Sequence, residues 1–232
     1  MEKKIIFWVL SLSLVAVALA ILLPGGRKVD SDPKLPWEVH LNTQGAPEVF
    51  DLTLGTSSLN DARQVFQMQG ELNLFIDHTG SPALEAYFER VFLSGLRADF
   101  ILVLDADSNL LNQLYDRGSR ISRTSESTHK VELSGEDQTL ASGFSIKLIN
   151  YVPYANLDDQ LVTSRFGEPT RKITETETAI THWIYRDKGI SIGLNPDGKE
   201  LIQYMPLSEL SPLIERIEEN NRRYREAIKQ QG

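Results

Sequence analysis

The chain has 232 residues, with 24 Lys and Arg against 32 Asp and Glu, a formal net charge of −8 and no cysteine. The lack of cysteine excludes disulfides, thiolate nucleophiles, Cys-based zinc sites and a lipid-modified cysteine. The acidic balance repels nucleic acid and anionic headgroups, so no nucleic acid is expected as a partner.

Ile5 to Leu23 is a run of 19 residues without a charge, after Lys3 and Lys4 and before Pro24-Gly25-Gly26. As a helix it would reach roughly 28 Å, close to the hydrocarbon thickness of a bilayer. Residues 1–23 are therefore expected to be a transmembrane anchor, with the lipid bilayer as partner through residues 5–23. The rival reading is a cleaved signal peptide, since Ala18-Leu19-Ala20 is a small-x-small site. Ile21, Leu22 and Leu23 carry the apolar run past that site, which favours a retained anchor. Lys3 and Lys4 favour a cytoplasmic N-terminus, although Arg27, Lys28 and Lys34 oppose them. The expectation is a single-pass protein of the inner (plasma) membrane with its domain in the periplasm.

Residues 24–36 read as a linker, and the folded part begins near Trp37. Residues 37–153 are expected to form one module of short helices on antiparallel strands. Thr56-Ser57-Ser58 offers a cap for a helix carrying Leu59, Ala62, Val65 and Phe66. Leu72 to Ile76 reads as a strand. Ser81-Pro82 looks like a helix start, with Leu84, Tyr87, Phe88, Val91 and Phe92 as its buried stripe. Phe100 to Leu104 is a strand. Asp105-Ala106-Asp107-Ser108-Asn109 superficially matches a calcium loop, but Leu110 stands where the loop needs glycine, so a helix cap is the ordinary explanation. A short helix around Leu110 to Leu114, a polar strand pair over 119–133, a helix over 134–141 and a strand from Phe144 to Tyr151 complete the module.

Residues 154–206 form a second module. Asn156 is the expected cap of a helix with Leu157, Leu161, Val162 and Phe166, ended by Gly167 and Pro169. Strands at 170–176, 179–186, 189–194 and 199–205 follow as a meander, which the helix would cover. In the turn Asn195-Pro196-Asp197-Gly198, proline presets φ and glycine is expected to accept positive φ. Residues 207–232 give a C-terminal amphipathic helix, started by Ser211-Pro212, with a thin apolar stripe of Leu213, Ile214, Ile217, Tyr224 and Ile228.

The segments Phe166-Gly167-Glu168-Pro169, Trp183-Ile184-Tyr185, Lys188-Gly189 and Asp197-Gly198-Lys199 give the second module a family likeness. It resembles the helix-then-meander modules of the BamE/SmpA outer-membrane assembly lipoproteins and of the beta-lactamase inhibitory proteins. The resemblance covers residues 154–206, with a fainter echo at 52–67. It implies a binding module. The assembly lipoproteins are anchored by a lipidated cysteine, which this chain lacks.

The four histidines, His40, His78, His129 and His182, show no metal-ligand spacing, and no cofactor is expected. His78, near Ser81, and His182 are the residues that a hydrolase would use, though no nucleophile elbow accompanies them. Trp183 and Tyr185 share one strand face and are either core or exposed aromatic anchors. The fold class expected is thus α+β: a transmembrane helix, one or two modules of short helices on antiparallel sheet, and a C-terminal helix. The function expected is a non-enzymatic interaction protein in envelope assembly or maintenance, binding another envelope protein through Trp183, Tyr185, Leu213, Ile217 and Tyr224. The alternative is a membrane-anchored hydrolase.

Overall fold

The computed structural model describes residues 32–77, 80–123 and 129–231, and Lys34–Gly232 forms one compact unit. Three short strands come first: β1 (His40–Leu41), β2 (Pro47–Val49) and β3 (Leu52–Thr53), paired antiparallel as a small sheet. Helix α1 (Leu59–Phe66) follows. Ser58 Oγ accepts the Asp61 N–H at 3.3 Å while Asp61 accepts the Ser58 N–H at 2.7 Å, a reciprocal cap that satisfies two orphan donors.

The large sheet then opens with β4 (Glu71–Ile76), β5 (Pro82–Leu93) and β6 (Leu96–Leu104). An excursion carries helix α2 (Ser108–Asp116), β7 (Arg120–Arg123), β8 (His129–Glu132) and helix α3 (Gly135–Ala141), before β9 (Ile146–Pro153) returns beside β6. Helix α4 (Asp159–Phe166) precedes a meander of β10 (Arg171–Thr174), β11 (Thr181–Tyr185), β12 (Ile190–Leu194) and β13 (Leu201–Tyr204). Helix α5 (Leu207–Gln231) ends the described chain.

Strand order in the large sheet is β10-β11-β12-β13-β9-β6-β5-β4-β8-β7, and every pairing is antiparallel. Read inward from β10, helix α4 is followed by strands one to four of its meander. Read inward from β4, helix α1 is followed by β4, β5, β6 and β9 in the same order. The two runs meet at the antiparallel β13·β9 pair, where Ile202 lies opposite Tyr151. The strand order is therefore the same read inward from either side, a two-fold symmetry of topology about the β13·β9 pair.

This corrects the expected fold class. The chain is a mixed α/β fold in which the segments 37–153 and 154–206 share one ten-stranded sheet, rather than carrying a sheet each. Strand pairing explains this, because β9 and β13 would each present an unpaired edge if the modules stood apart. Among the described residues no helix is long and apolar enough to cross a membrane. The expected span at residues 5–23 lies outside the described residues.

Further corrections are local. Residues 82–93 form a strand, not a helix. Leu84, Ala86 and Phe88 alternate toward the core, then a bulge between Phe88 and Val91 shifts the period. Arg90 occupies the bulge with φ +54°, and the resulting spacing of apolar residues imitates a helix. Asp158, not Asn156, caps α4, accepting the Leu161 N–H at 2.7 Å. Helix α5 starts at Leu207 and contains Pro212 inside it. The expected cap, by contrast, is present: Asp107 caps α2 and accounts for the calcium-like pattern.

One face of the sheet is buried against α1, α2, α4 and the small sheet, with Phe100 in ring contact with Phe50, Phe66 and Tyr151. A strap at residues 34–37 closes one end of this core. The Lys34 N–H donates to Ser94 Oγ and its ammonium pairs with Asp51, both at 2.7 Å. Tyr204, fully buried in β13, donates its hydroxyl to the Pro36 carbonyl at 2.7 Å. Trp37 meets Phe166 edge-on at 6.3 Å beneath the Arg165 guanidinium.

Candidate functional site

The aromatic pair proposed as anchors is core. Trp183 and Tyr185 are each 1% exposed, because α4 covers their face rather than the opposite one. Tyr185 donates its hydroxyl to the Gly167 carbonyl at 3.0 Å, and the Lys172 ammonium sits over the Trp183 ring. Neither can meet a partner without unfolding the module.

Helix α5 accounts for the other side of that strand. Ile184, which alternates with Trp183 and Tyr185, packs with Ile173 and Met205 against Leu210, Leu213, Ile214 and Ile217. Leu213 is 8% exposed and Ile217 is 4% exposed, so both hold the helix to its own sheet. Lys147–Glu209 at 3.1 Å, Arg171–Glu218, and Asn221 bonded to Thr174 and Thr176 fix the helix across β9 to β10. Tyr224 is half-buried, and beyond Asn221 no described side chain of α5 is buried.

The described histidines lie apart from one another. His40 is exposed on β1, His129 lies in β8, and His78 is outside the described residues. His182 bonds Glu175 through Nε2 at 2.9 Å, and its enclosed Nδ1 has no partner. Burial raises the Glu175 carboxyl, but hydrogen bonds from Thr178 and His182 outweigh it and hold the group below its usual range. This is a hydrogen-bonded structural histidine. No group of three or more metal-ligating side chains occurs among the described residues.

Sequence reasoning missed the surface that the fold leaves open. Helix α5 covers only the β9–β13 half of its face. In the other half, Phe75 on β4, Ala83 and Tyr87 on β5, and Ile101 and Val103 on β6 are only half-buried. On the opposite face, Leu74, Leu84, Phe88, Phe100 and Leu102 are all shielded. The helical reading of that segment hid the face, because Ala83, Glu85 and Tyr87 share one side only when the segment is a strand.

Glu85 stands in the middle of this open face, opposite Asn73 on one side and Val103 on the other. Burial pushes its carboxyl above the usual range, and no cation or hydrogen-bond donor partners it among the described residues. Glu71 nearby is paired with Lys130 at 3.6 Å. Toward the bulge, buried Asp99 accepts the Arg90 N–H at 2.8 Å and acts electrostatically on the Tyr87 and Tyr154 hydroxyls. Burial first, then the Asp99 charge, push the Tyr87 hydroxyl up to about 12. The face thus combines apolar side chains with a carboxylate that has surrendered water without gaining a partner, an arrangement that a docking cation would relieve. Between this face and α5 runs a groove of about 190 Å³ lined by Val103, Leu148, Gln203 and Leu213.

No family model, curated protein or solved structure matches this chain.

Proposed function

We propose that this chain is a non-enzymatic protein-interaction protein of the cell envelope. Its apolar N-terminal segment ties the domain to the inner membrane and its domain lies outside the cytoplasm. The observation that carries the interaction reading is the open half of the sheet face, where Tyr87, Ile101 and Val103 surround Glu85, which has no charged partner among the described residues. Interfaces are built around apolar and aromatic centres, and a cation brought by a partner would relieve the desolvated Glu85. The membrane tether rests on the uncharged run Ile5–Leu23. The hydrolase alternative has less support, since Glu175 holds one nitrogen of His182 and the fold encloses the other.

In-cell photo-cross-linking tests the surface. A cross-linker at Ile101 or Val103 should yield discrete adducts, and one at Leu140, exposed on α3, should not. Equal adduct patterns at all three positions would remove the open face from consideration. A reporter fused after Gly232 checks the side of the membrane, and activity only of a cytoplasmic reporter would refute the envelope placement.

A further inference from the structure

We infer that the open half-face receives the projecting end of α5 from a second copy of this chain. The inference rests on reading that face as an interaction surface and names its occupant.

The two-fold topology supplies the first argument. Helix α5 lays Leu213, Ile214 and Ile217 on one half of the face. Among the described residues the related half has no equivalent helix, because after β9 the chain crosses to the other face and forms α4. A helix-sized place is therefore open on β4, β5 and β6.

Charge and length supply the second. Residues 221–231 contain Arg222, Arg223, Arg225 and Lys229 against the single acid Glu226, on a chain of net charge −8. Arg222 and Arg223 share Glu219, which leaves Arg225 and Lys229 without an acidic partner among the described residues. Tyr224 and Ile228 lie four residues apart, on one side of the helix beside Arg225 and Lys229. Ile228 is 53% exposed. The ten residues after Asn221 extend roughly 15 Å, enough to cross three strands spaced about 4.8 Å apart. Tyr224 and Ile228 would lie on Tyr87, Ile101 and Val103, with Arg225 or Lys229 reaching Glu85. Each copy owns one tail and one open face, so a reciprocal exchange closes as a two-fold dimer.

The absence of native cysteine gives a clean test. Full-length Ala83→Cys and Ile228→Cys proteins, purified separately in detergent, are mixed and oxidised. The mixed disulfide should form several-fold more readily than between Ile228→Cys and a Leu140→Cys control. Arg225→Glu with Lys229→Glu on the tail partner should cut the yield about tenfold, and Glu85→Lys on the face partner should restore it. A milder Glu85→Gln change, safer for folding, should lower the yield of the unreversed pair. A yield no greater than the Leu140 control, or disulfides only between two Ala83→Cys faces, overturns the inference. If that happens while Ile101 still cross-links in cells, the face binds a different protein and only the identity of its occupant is wrong. If Ile101 is also silent, both readings fall.

Discussion

At Gly189 the chain turns from β11 into β12 with φ +69°, and an added Cβ would collide with the Met205 carbonyl oxygen and lie 2.8 Å from Pro47 Cγ. Gly189→Ala should cost several kcal/mol, combining left-handed strain with a backbone clash. Gly198, expected from sequence to need positive φ, does not adopt it, and a Cβ there meets only the Asn195 side chain. Gly198→Ala should cost less than about 1 kcal/mol. Thermal melts of the two variants decide this, and a larger loss at 198 would contradict the assignment. Asp137 gives a pH prediction. Its hydrogen bonds from the Arg117 guanidinium outweigh burial, and with Ser134 they hold the carboxyl below its usual range of about 3.8. The folded value lies below the unfolded one, so its contribution is complete above about pH 4 and is lost as pH falls through the folded value. Asp137→Asn should cost about 1–3 kcal/mol at neutral pH and flatten the acid limb of stability. An unchanged acid limb would show that the pair contributes nothing. The sequence disclosed the helix over 134–141 but not the Arg117 partner, since a residue 20 positions away leaves no local pattern.

Helix α5 behaves as structure at the element scale. Truncation after Pro206 should expose Ile184, Met205 and Leu148 and give a domain that binds a hydrophobic dye, instead of a well-folded domain lacking only a partner. Leu213→Ser and Ile217→Ser should each cost about 2–4 kcal/mol. Denaturant midpoints unchanged within error would mean that the helix does not belong to the core. Most elements were legible: α1, α2, α3 and the β10–β13 meander follow their expected segments closely because caps, turn residues and alternation agree there. Two failures have physical causes. The bulge at Arg90 breaks the two-residue period of β5, so a twelve-residue strand imitates a helix. The strands β1 to β3 are only two or three residues long, too short for alternation to register, although Leu52 and Leu54 are fully core. The open face escaped notice for the first reason, since nobody looks for a sheet surface on a predicted helix.

The whole sheet should unfold as one unit. The β13·β9 pair joins halves that sequence separates, and Phe50 touches Phe100 and Tyr151 from one half and Tyr204 from the other. Ile202→Ala, at the centre of the sheet, should destabilise by about 2–4 kcal/mol. Hydrogen exchange should show β5, β6, β11 and β12 losing protection together. Earlier loss in β10–β13 alone would mean that the halves are separate cooperative units. Sequence could not give this continuity. The pairing of Tyr151 with Ile202 joins residues 51 apart and depends on register, not on local composition.

The strap at residues 34–37 also has a mechanical meaning. Its anchor, Tyr204, belongs to β13 in the interior of the sheet, not to either edge strand. Tension applied at Lys34 loads its bonds to Ser94 and Asp51 and then, through the Pro36 carbonyl, the centre of the ten strands, instead of peeling β10 or β7 away one hydrogen bond at a time. Pulled in an optical trap from its N-terminal end, the domain should resist as a block and yield abruptly, and Tyr204→Phe should lower the force at which it does so.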